Sequence, residues 1–539
     1  MPSEPVKPSG AGSENTPRKT GGPVRGFWLR AGRSLLIFVL VAGWFSLFAR
    51  LGFDSHHDGI MLGAAAEVAG GKLLFKEVFC QYGPLAVWIQ SIPVFFFGAE
   101  VLVVRLTTVL FYGFIALLGA KIWGRFLRRP FDLIWYVCFF ALCPFYVGEF
   151  HPWSSVYALF FMLLGLELQL RFLEADRFRF MPLFGSGACA AAAFLCRTPC
   201  GIVAFAAGTA VLCLHDFASD PRRGGTERFR PLFAYIIGAG IVCDLFAVYL
   251  TLAGAWKDYF GQCFSFVSGF AAGRCGENAL VYLFNCLFPI ADYWKHDGIF
   301  TLLPLLTAGG VLFQLRRMIS ARSRAEMGKE LPLLAALLLA LVSWHQYFPV
   351  PCVRHFWWGS LPAFGVYALV FQKVWDSKSG LLARWGLTVL LALPFFFSVP
   401  SRVSGAVDRI RTIREMVVPG KKLPVVCHSL VSKEDCAFLN ELRSRYDSLP
   451  PEIRRRGVLN HTPDGLFICL LPQPPNFKHP MFVNWYDLVY PDYTFEASRL
   501  IETDRPAVLS TLVEEIPGYR LAWSCRWQLK NFRFFVPLK

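Results

Sequence analysis

Charge is scarce in this chain. Only 17% of its 539 residues are Asp, Glu, Lys or Arg, against 55% hydrophobic, and the mean hydropathy is +0.44. That balance excludes a soluble protein of this length. No internal repeat, P-loop, His-Glu-x-x-His helix or Cys-x-x-Cys pair occurs, so P-loop nucleotide, zincin or thioredoxin-like chemistry has no footing. The formal charge of +16 comes from scattered Lys and Arg with no single basic face, which excludes nucleic-acid binding.

What the chain does have is a series of apolar runs long enough to cross a bilayer, separated by short basic loops. The expected fold class is an all-α polytopic membrane protein with a small C-terminal α+β domain. Residues 1–33, rich in Pro, Gly, Ser and basic side chains, read as a disordered cytoplasmic tail. Residues 34–51 read as a retained first span. With Arg18, Lys19, Arg25, Arg30 and Arg33 inside, about eleven spans follow within residues 34–400. Their basic loops (Arg125, Arg128 and Arg129; Arg171, Arg177 and Arg179; Arg222 to Arg230; Arg316 to Lys329; Lys373 to Arg384) all fall on the cytoplasmic side. Residues 84–98 are apolar but short, and Pro93 interrupts them; an interfacial helix keeps the basic loops inside.

After Pro400 charges and turns return. Residues 401–539 read as an extracytoplasmic α+β domain, with a helix over Lys433 to Arg445. Strand-like runs cover Leu423 to Cys427, Leu466 to Leu471, Ala507 to Leu512 and Phe532 to Val536. The sixteen cysteines lie largely in spans, where cysteine acts as a small apolar residue; Cys427 and Cys436 could pair in an oxidising compartment.

This topology sends the unusual polar clusters to one face. They are Asp54-Ser55-His56-His57-Asp58-Gly59, the run Lys76 to Tyr82, Glu149-Phe150-His151-Pro152-Trp153, Cys196-Arg197-Thr198-Pro199-Cys200-Gly201, Lys295-His296-Asp297, and the run His345 to His355. A carboxylate near a hydroxyl or amine can act as general base, and Arg or His⁺ suits a phosphate. Together these are the needs of sugar transfer from a lipid-phosphate carrier, in which charge develops on the departing phosphate. Acids and histidines in one group could also hold a divalent cation. Blander readings stand beside these. Asp58-Gly59 could cap the helix that follows, His56 and His57 could be interfacial hydrogen-bonders, Trp153 an interface anchor, and Arg197 a snorkelling residue. Asp244, mid-span in residues 231–253, is the residue that favours the alternative, a transporter or flippase for a lipid-linked saccharide.

His57-Asp58-Gly59, Gly70-Gly71, Phe79 to Pro84, Arg197 with Gly201, and Tyr347-Phe348-Pro349 with His355 and Pro362 follow one another in an order that resembles the GT-C superfamily. Within it the likeness is to relatives of protein mannosyltransferases and aminoarabinose transferases. The resemblance implies a plasma-membrane glycosyltransferase using a polyprenyl-phosphate-linked sugar donor. Its acceptor would be an envelope glycan, lipid or protein, and its active site would face outward. Asp58 would be the base, with Asp54 its rival, and Glu77 or Glu149 would orient the acceptor or a cation. Arg197, Arg354 and His355 would bind the carrier phosphate, with Lys76 a further candidate. His56 and His57 would join the substrate-binding set, and Tyr82 and Trp153 would stack on sugar faces. Two departures are visible: His57-Asp58 stands where the family often has Asp-Glu, and Cys352 where it often has an acid.

Overall fold

The computed structural model describes residues 23–175, 177–219, 225–275, 278–287, 297–348, 350–475 and 491–538. Among the described residues seven helices are long and apolar enough to cross a membrane: Gly32–Ala49, Val101–Trp123, Ser154–Leu173, Thr198–Ala218, Glu227–Ala253, Ile299–Ile319 and Leu381–Glu415. Three shorter apolar helices, Pro84–Phe97, Asp132–Tyr146 and Phe180–Cys196, lie among them. These stand against the eleven spans expected. The protein is therefore a multi-pass helical membrane protein. We label the helices used below α1 (Pro23–Ala49), α2 (His57–Ala69), α3 (Pro84–Phe97), α4 (Val101–Trp123), α5 (Asp132–Ala141), α6 (Ser154–Leu173), α7 (Phe180–Cys196), α8 (Thr198–Ala218) and α9 (Gly225–Ala253).

Two boundaries differ from the expectation, and the short helix α3 agrees with it. Helix α1 begins at Pro23, so residues 23–33 of the presumed tail are helical; residues 1–22 lie outside the described residues. The last apolar helix does not stop at Pro400 but runs through Pro394 and Pro400 to Thr412. Helix α3, at 14 residues, spans only about 21 Å. It buries Ala86, Val87 and Gln90 while leaving Ile92, Phe95, Phe96 and Phe97 exposed. That is the pattern of a short helix lying at an apolar boundary.

Small residues let the helices approach closely. A Cβ at Gly187 of α7 would overlap the Tyr235 carbonyl of α9, and one at Gly238 of α9 would overlap that of Phe184, as in small-residue contacts between membrane helices.

The C-terminal domain pairs two short strands, β1 (Met416–Val417) and β2 (Val431–Ser432), beside a four-stranded sheet. Its strands are β3 (Val458–His461), β4 (Ala507–Ser510), β5 (Tyr519–Trp527) and β6 (Lys530–Pro537), in the order β3-β4-β6-β5. The first pair is parallel and the others antiparallel. The expected helix is present as Lys433–Asp447, capped by Ser432, whose Oγ accepts from the Asp435 N–H. Leu466–Leu470 is helical rather than extended, and Pro424–Val426 is a turn of 3₁₀ helix. Cys427 and Cys436 are free thiols.

The domain is joined to the first loop by backbone and by side chains. Leu51 and Leu430 bridge as in a parallel sheet, and the Phe53 ring lies 6.1 Å from that of Trp527. A Cβ at Gly59 would overlap the Leu466 backbone N, so only glycine lets α2 meet the domain this closely.

Candidate active site

The segment between α1 and α2 folds around two carboxylates in reciprocal roles. Asp54 Oδ1 accepts the N–H groups of His56 (3.0 Å) and His57 (2.8 Å), which starts α2. Asp58 Oδ2 in turn accepts the Asp54 N–H at 2.8 Å. This reciprocity is like that of a capping box. It makes Asp54 rather than Asp58 the residue that begins the helix.

From there the two acids diverge. Asp58 has no exposed surface and is gripped by Arg105 of α4, Nη2 to Oδ2 at 2.6 Å and Nε to Oδ1 at 3.0 Å. Burial pushes its carboxyl up to about 6, against the pull of the guanidinium, so at pH 7 it is an ion-paired carboxylate. Asp58 is thus not placed to take a proton from an acceptor, because both oxygens are occupied and no solvent reaches them.

Asp54 is partly exposed. Its Oδ2 lies 2.7 Å from His57 Nδ1 and 3.1 Å from His151 Nε2. Burial works to raise its carboxyl, but the charge and hydrogen bond of His57 and the hydrogen bond of His151 prevail and hold it well below the ordinary range. Asp54 is therefore a firm carboxylate and a weak base. Because a carboxylate only accepts, His57 Nδ1 carries a proton, and the lone pair of the corresponding neutral tautomer is on Nε2.

The His57 ring stands among aromatics, 4.6 Å from His151 and 5.1 Å from Trp153, whose indole lies 5.2 Å from Tyr82. Tyr82 is held there because Gly83 packs directly against the Leu195 carbonyl at the end of α7. Opposite acceptors face the two nitrogens of His151, Asp54 Oδ2 and the Glu149 carbonyl at 2.6 Å. Satisfying both would require the imidazolium. Burial and the adjacent Arg354 guanidinium win instead and push His151 down to about 3.

Positive charge gathers beside this group. Arg197, at the junction of α7 and α8, donates to Ser155 Oγ. Arg354 donates to His151 from the first turn of the helix Val353–Ser360, which follows Cys352. Burial, then Arg197 and Arg354, hold His355 well below its usual range. Burial likewise takes His345 to about 4, with Arg197 acting in the same direction. The two arginines, not His151, His345 or His355, carry the cationic charge beside this group.

Other sequence candidates lie elsewhere. Lys76 reaches Asp258 at 3.5 Å, and Glu77 accepts the Leu73 N–H at 2.7 Å in its own exposed turn; neither faces Asp54. Glu149 pairs with Arg409 at 3.1 Å and lies 4.0 Å from Arg105, bracing the first loop. The His56 ring packs edge-on against His57 at 4.8 Å, with its Nδ1 on the Pro463 carbonyl at 2.5 Å. Asp244 is exposed on the outside of α9 among Ile241, Leu245 and Val248, rather than inside the bundle. Lys295 and His296 lie outside the described residues.

Three participants escaped the sequence reading. Arg105 had a signal, a lone arginine in a 23-residue apolar helix, which is costly unless paired. His151 had been grouped with the polar clusters without a role of its own. The loop at Pro463 and Asp464 had no signal. Asp464, fully buried, accepts from Ser55 Oγ at 2.7 Å and from Lys530 Nζ at 2.8 Å, and the Leu466 N–H donates to the Ser55 carbonyl at 3.0 Å.

Asp54, His57 and His151 also offer ligand atoms within 4.8 Å of one another, a donor set that suits a divalent cation. Arg354 sets a permanent positive charge against that group. The fit is therefore one of donor type and not of charge.

The fold is similar to that of solved structures of ArnT. ArnT from Cupriavidus metallidurans bound to undecaprenyl phosphate gives TM-score 0.52 and 14% identity, over 95% of this chain and 98% of that one. Apo ArnT from the same organism gives TM-score 0.50 and 13% identity over the same shares. No family model and no curated protein matches the chain.

Proposed function

We propose that the protein is a plasma-membrane glycosyltransferase moving a sugar from a polyprenyl-phosphate carrier to an acceptor on the extracytoplasmic face. The observation that carries this reading is the Asp54–His57 pair. A carboxylate fixes one imidazole nitrogen and leaves the other, beside an aromatic wall and two arginines, to accept a proton. The undecaprenyl phosphate bound in the ArnT structure supports the carrier class.

In this scheme His57 replaces Asp58 as the base, and Asp54 orients it and stabilises the imidazolium. The acceptor nucleophile loses its proton to His57 Nε2 and bonds to the anomeric carbon. The bond from that carbon to the phosphate oxygen breaks, and Arg197 and Arg354 take up the charge left on the carrier phosphate. Tyr82 and Trp153 hold the sugar face. The C-terminal domain sits over the first loop and helps select the acceptor.

The test uses protein in lipid, radiolabelled polyprenyl-phosphate sugars and envelope extracts as acceptor. Wild type should transfer label, and His57→Gln and Asp54→Asn should lower the rate by roughly 10²–10⁴-fold, the usual worth of a general base. Undiminished transfer by His57→Gln would reject this base.

A further inference from the structure

The β5–β6 hairpin has two ends with different surroundings. Its turn meets the first loop, through Lys530 on Asp464 and Trp527 beside Phe53. Its other end, where Tyr519 pairs with Pro537, is about 25 Å away by strand rise. At that far end lies a cavity of about 930 Å³, lined among others by Arg445, Arg456, Arg505 and Arg520, with Glu452 and Asp504 also on its wall and Phe534 and Val536 beneath.

Three of the four arginines there are not neutralised. Arg445 pairs with Glu441 at 3.1 Å. Among the described residues Arg456, Arg505 and Arg520 form no ion pair; Arg456 reaches the Arg505 carbonyl at 3.5 Å, and Arg505 the Gly518 carbonyl at 2.8 Å. Arg505 also has φ +48°, at the end of the helix Pro491–Thr503. Glycine or asparagine is the usual residue in that conformation.

We propose that this cavity binds an anionic saccharide through phosphate or carboxylate groups on its sugar rings. Guanidiniums match both anions with paired hydrogen bonds. Glu452 and Asp504 can accept from sugar hydroxyls, which an acidic peptide lacks. The inference rests on the glycosyltransferase reading in one respect: it makes the ligand a distal part of an extended acceptor, since no group bound here can reach His57.

The experiment is calorimetry on the full chain in lipid nanodiscs. The probes are glucose 6-phosphate, a galacturonic acid tetrasaccharide, uncharged maltotetraose and hexaglutamate. One or both anionic sugars should bind with sub-millimolar Kd, and which one does so distinguishes phosphate from carboxylate recognition; maltotetraose and hexaglutamate should not bind. Arg456→Glu with Arg520→Glu should weaken binding at least tenfold while the circular dichroism and elution volume match wild type. Arg456→Lys with Arg520→Lys should bind at an intermediate level. Absence of binding by wild type, equal binding by the glutamate variant, or equal binding of hexaglutamate would overturn the proposal. Binding is read without transfer, so a failure of sugar transfer with binding intact would count only against the active-site reading.

Discussion

Arg105 closes on Asp58 as a two-pronged clamp, Nε on one carboxylate oxygen and Nη2 on the other, with neither side chain exposed. The same guanidinium donates through Nη1 to the carbonyls of Ala49, Leu51 and Gly52. One arginine thus ties the end of α1 to the start of α2 and sets the course of the loop that carries Asp54.

That clamp predicts a stability defect rather than a specific catalytic one. Removing one partner of a buried pair leaves the other uncompensated, at a cost of roughly 3–5 kcal/mol. Asp58→Asn and Arg105→Gln should each lower the melting temperature sharply, and the double variant should recover part of the loss. If Asp58→Asn melted like wild type yet transferred nothing, the base would return to Asp58.

Ser55 and Asp464 should behave as positioning residues. A hydrogen bond to a charged group is worth about 1.5–3 kcal/mol, so Ser55→Ala should destabilise modestly. It should also lower kcat more than it raises donor KM, since His57 loses registry while the carrier-binding arginines stay put. Ser55→Thr should restore much of the activity. Equal effects on kcat in Ser55→Thr and Ser55→Ala would argue against a hydroxyl role.

Arg197→Ala and Arg354→Ala should raise donor KM and lower kcat, because both charges face the site proposed for the phosphate. Lys76→Ala and Glu77→Gln should change transfer less than twofold, since exposed pairs and turns contribute at most about 1 kcal/mol. A large loss in Lys76→Ala, measured under single-turnover conditions, would bring that segment back into the active site.

Acidification should weaken the fold between about pH 6.5 and 4. Five histidines, His56 (about 4), His151 (about 3), His345 (about 4), His355 and His461, are held below the unfolded value near 6.5. In this window the unfolded chain binds those protons and the native one does not, so stability falls as pH falls. Asp58, raised to about 6, acts in the opposite sense, but it is one group against five. Thermal melts across this range should show a steady decline; a flat or rising melting temperature would contradict the neutral histidines.

The membrane part was legible because hydropathy over twenty residues is a strong signal, and the short α3 could be recognised by length and Pro93. Within the domain, Ala507–Ser510 and Lys530–Pro537 are strands as expected. Leu466–Leu470 was misread because a five-residue apolar run has no period that separates strand from helix. Asp54, His57, Tyr82, Trp153, Arg197, Arg354 and His355, drawn from separate polar clusters, lie in one region of the fold. The division of labour between Asp54 and Asp58 was hidden, because it depends on Arg105, 47 residues beyond Asp58. The Ser55–Asp464 bond was hidden more deeply still, joining residues 409 apart.

That last separation bears on the order in which the protein is made. The first loop leaves the ribosome long before its buttress exists, and Asp464 gains its Lys530 counter-charge only when the final strand arrives. A nascent or truncated chain can therefore insert its helices while its proposed base is still unbraced. On the proposed scheme, competence for transfer would wait on the strand that carries Lys530, and unfinished molecules in the membrane would stay silent.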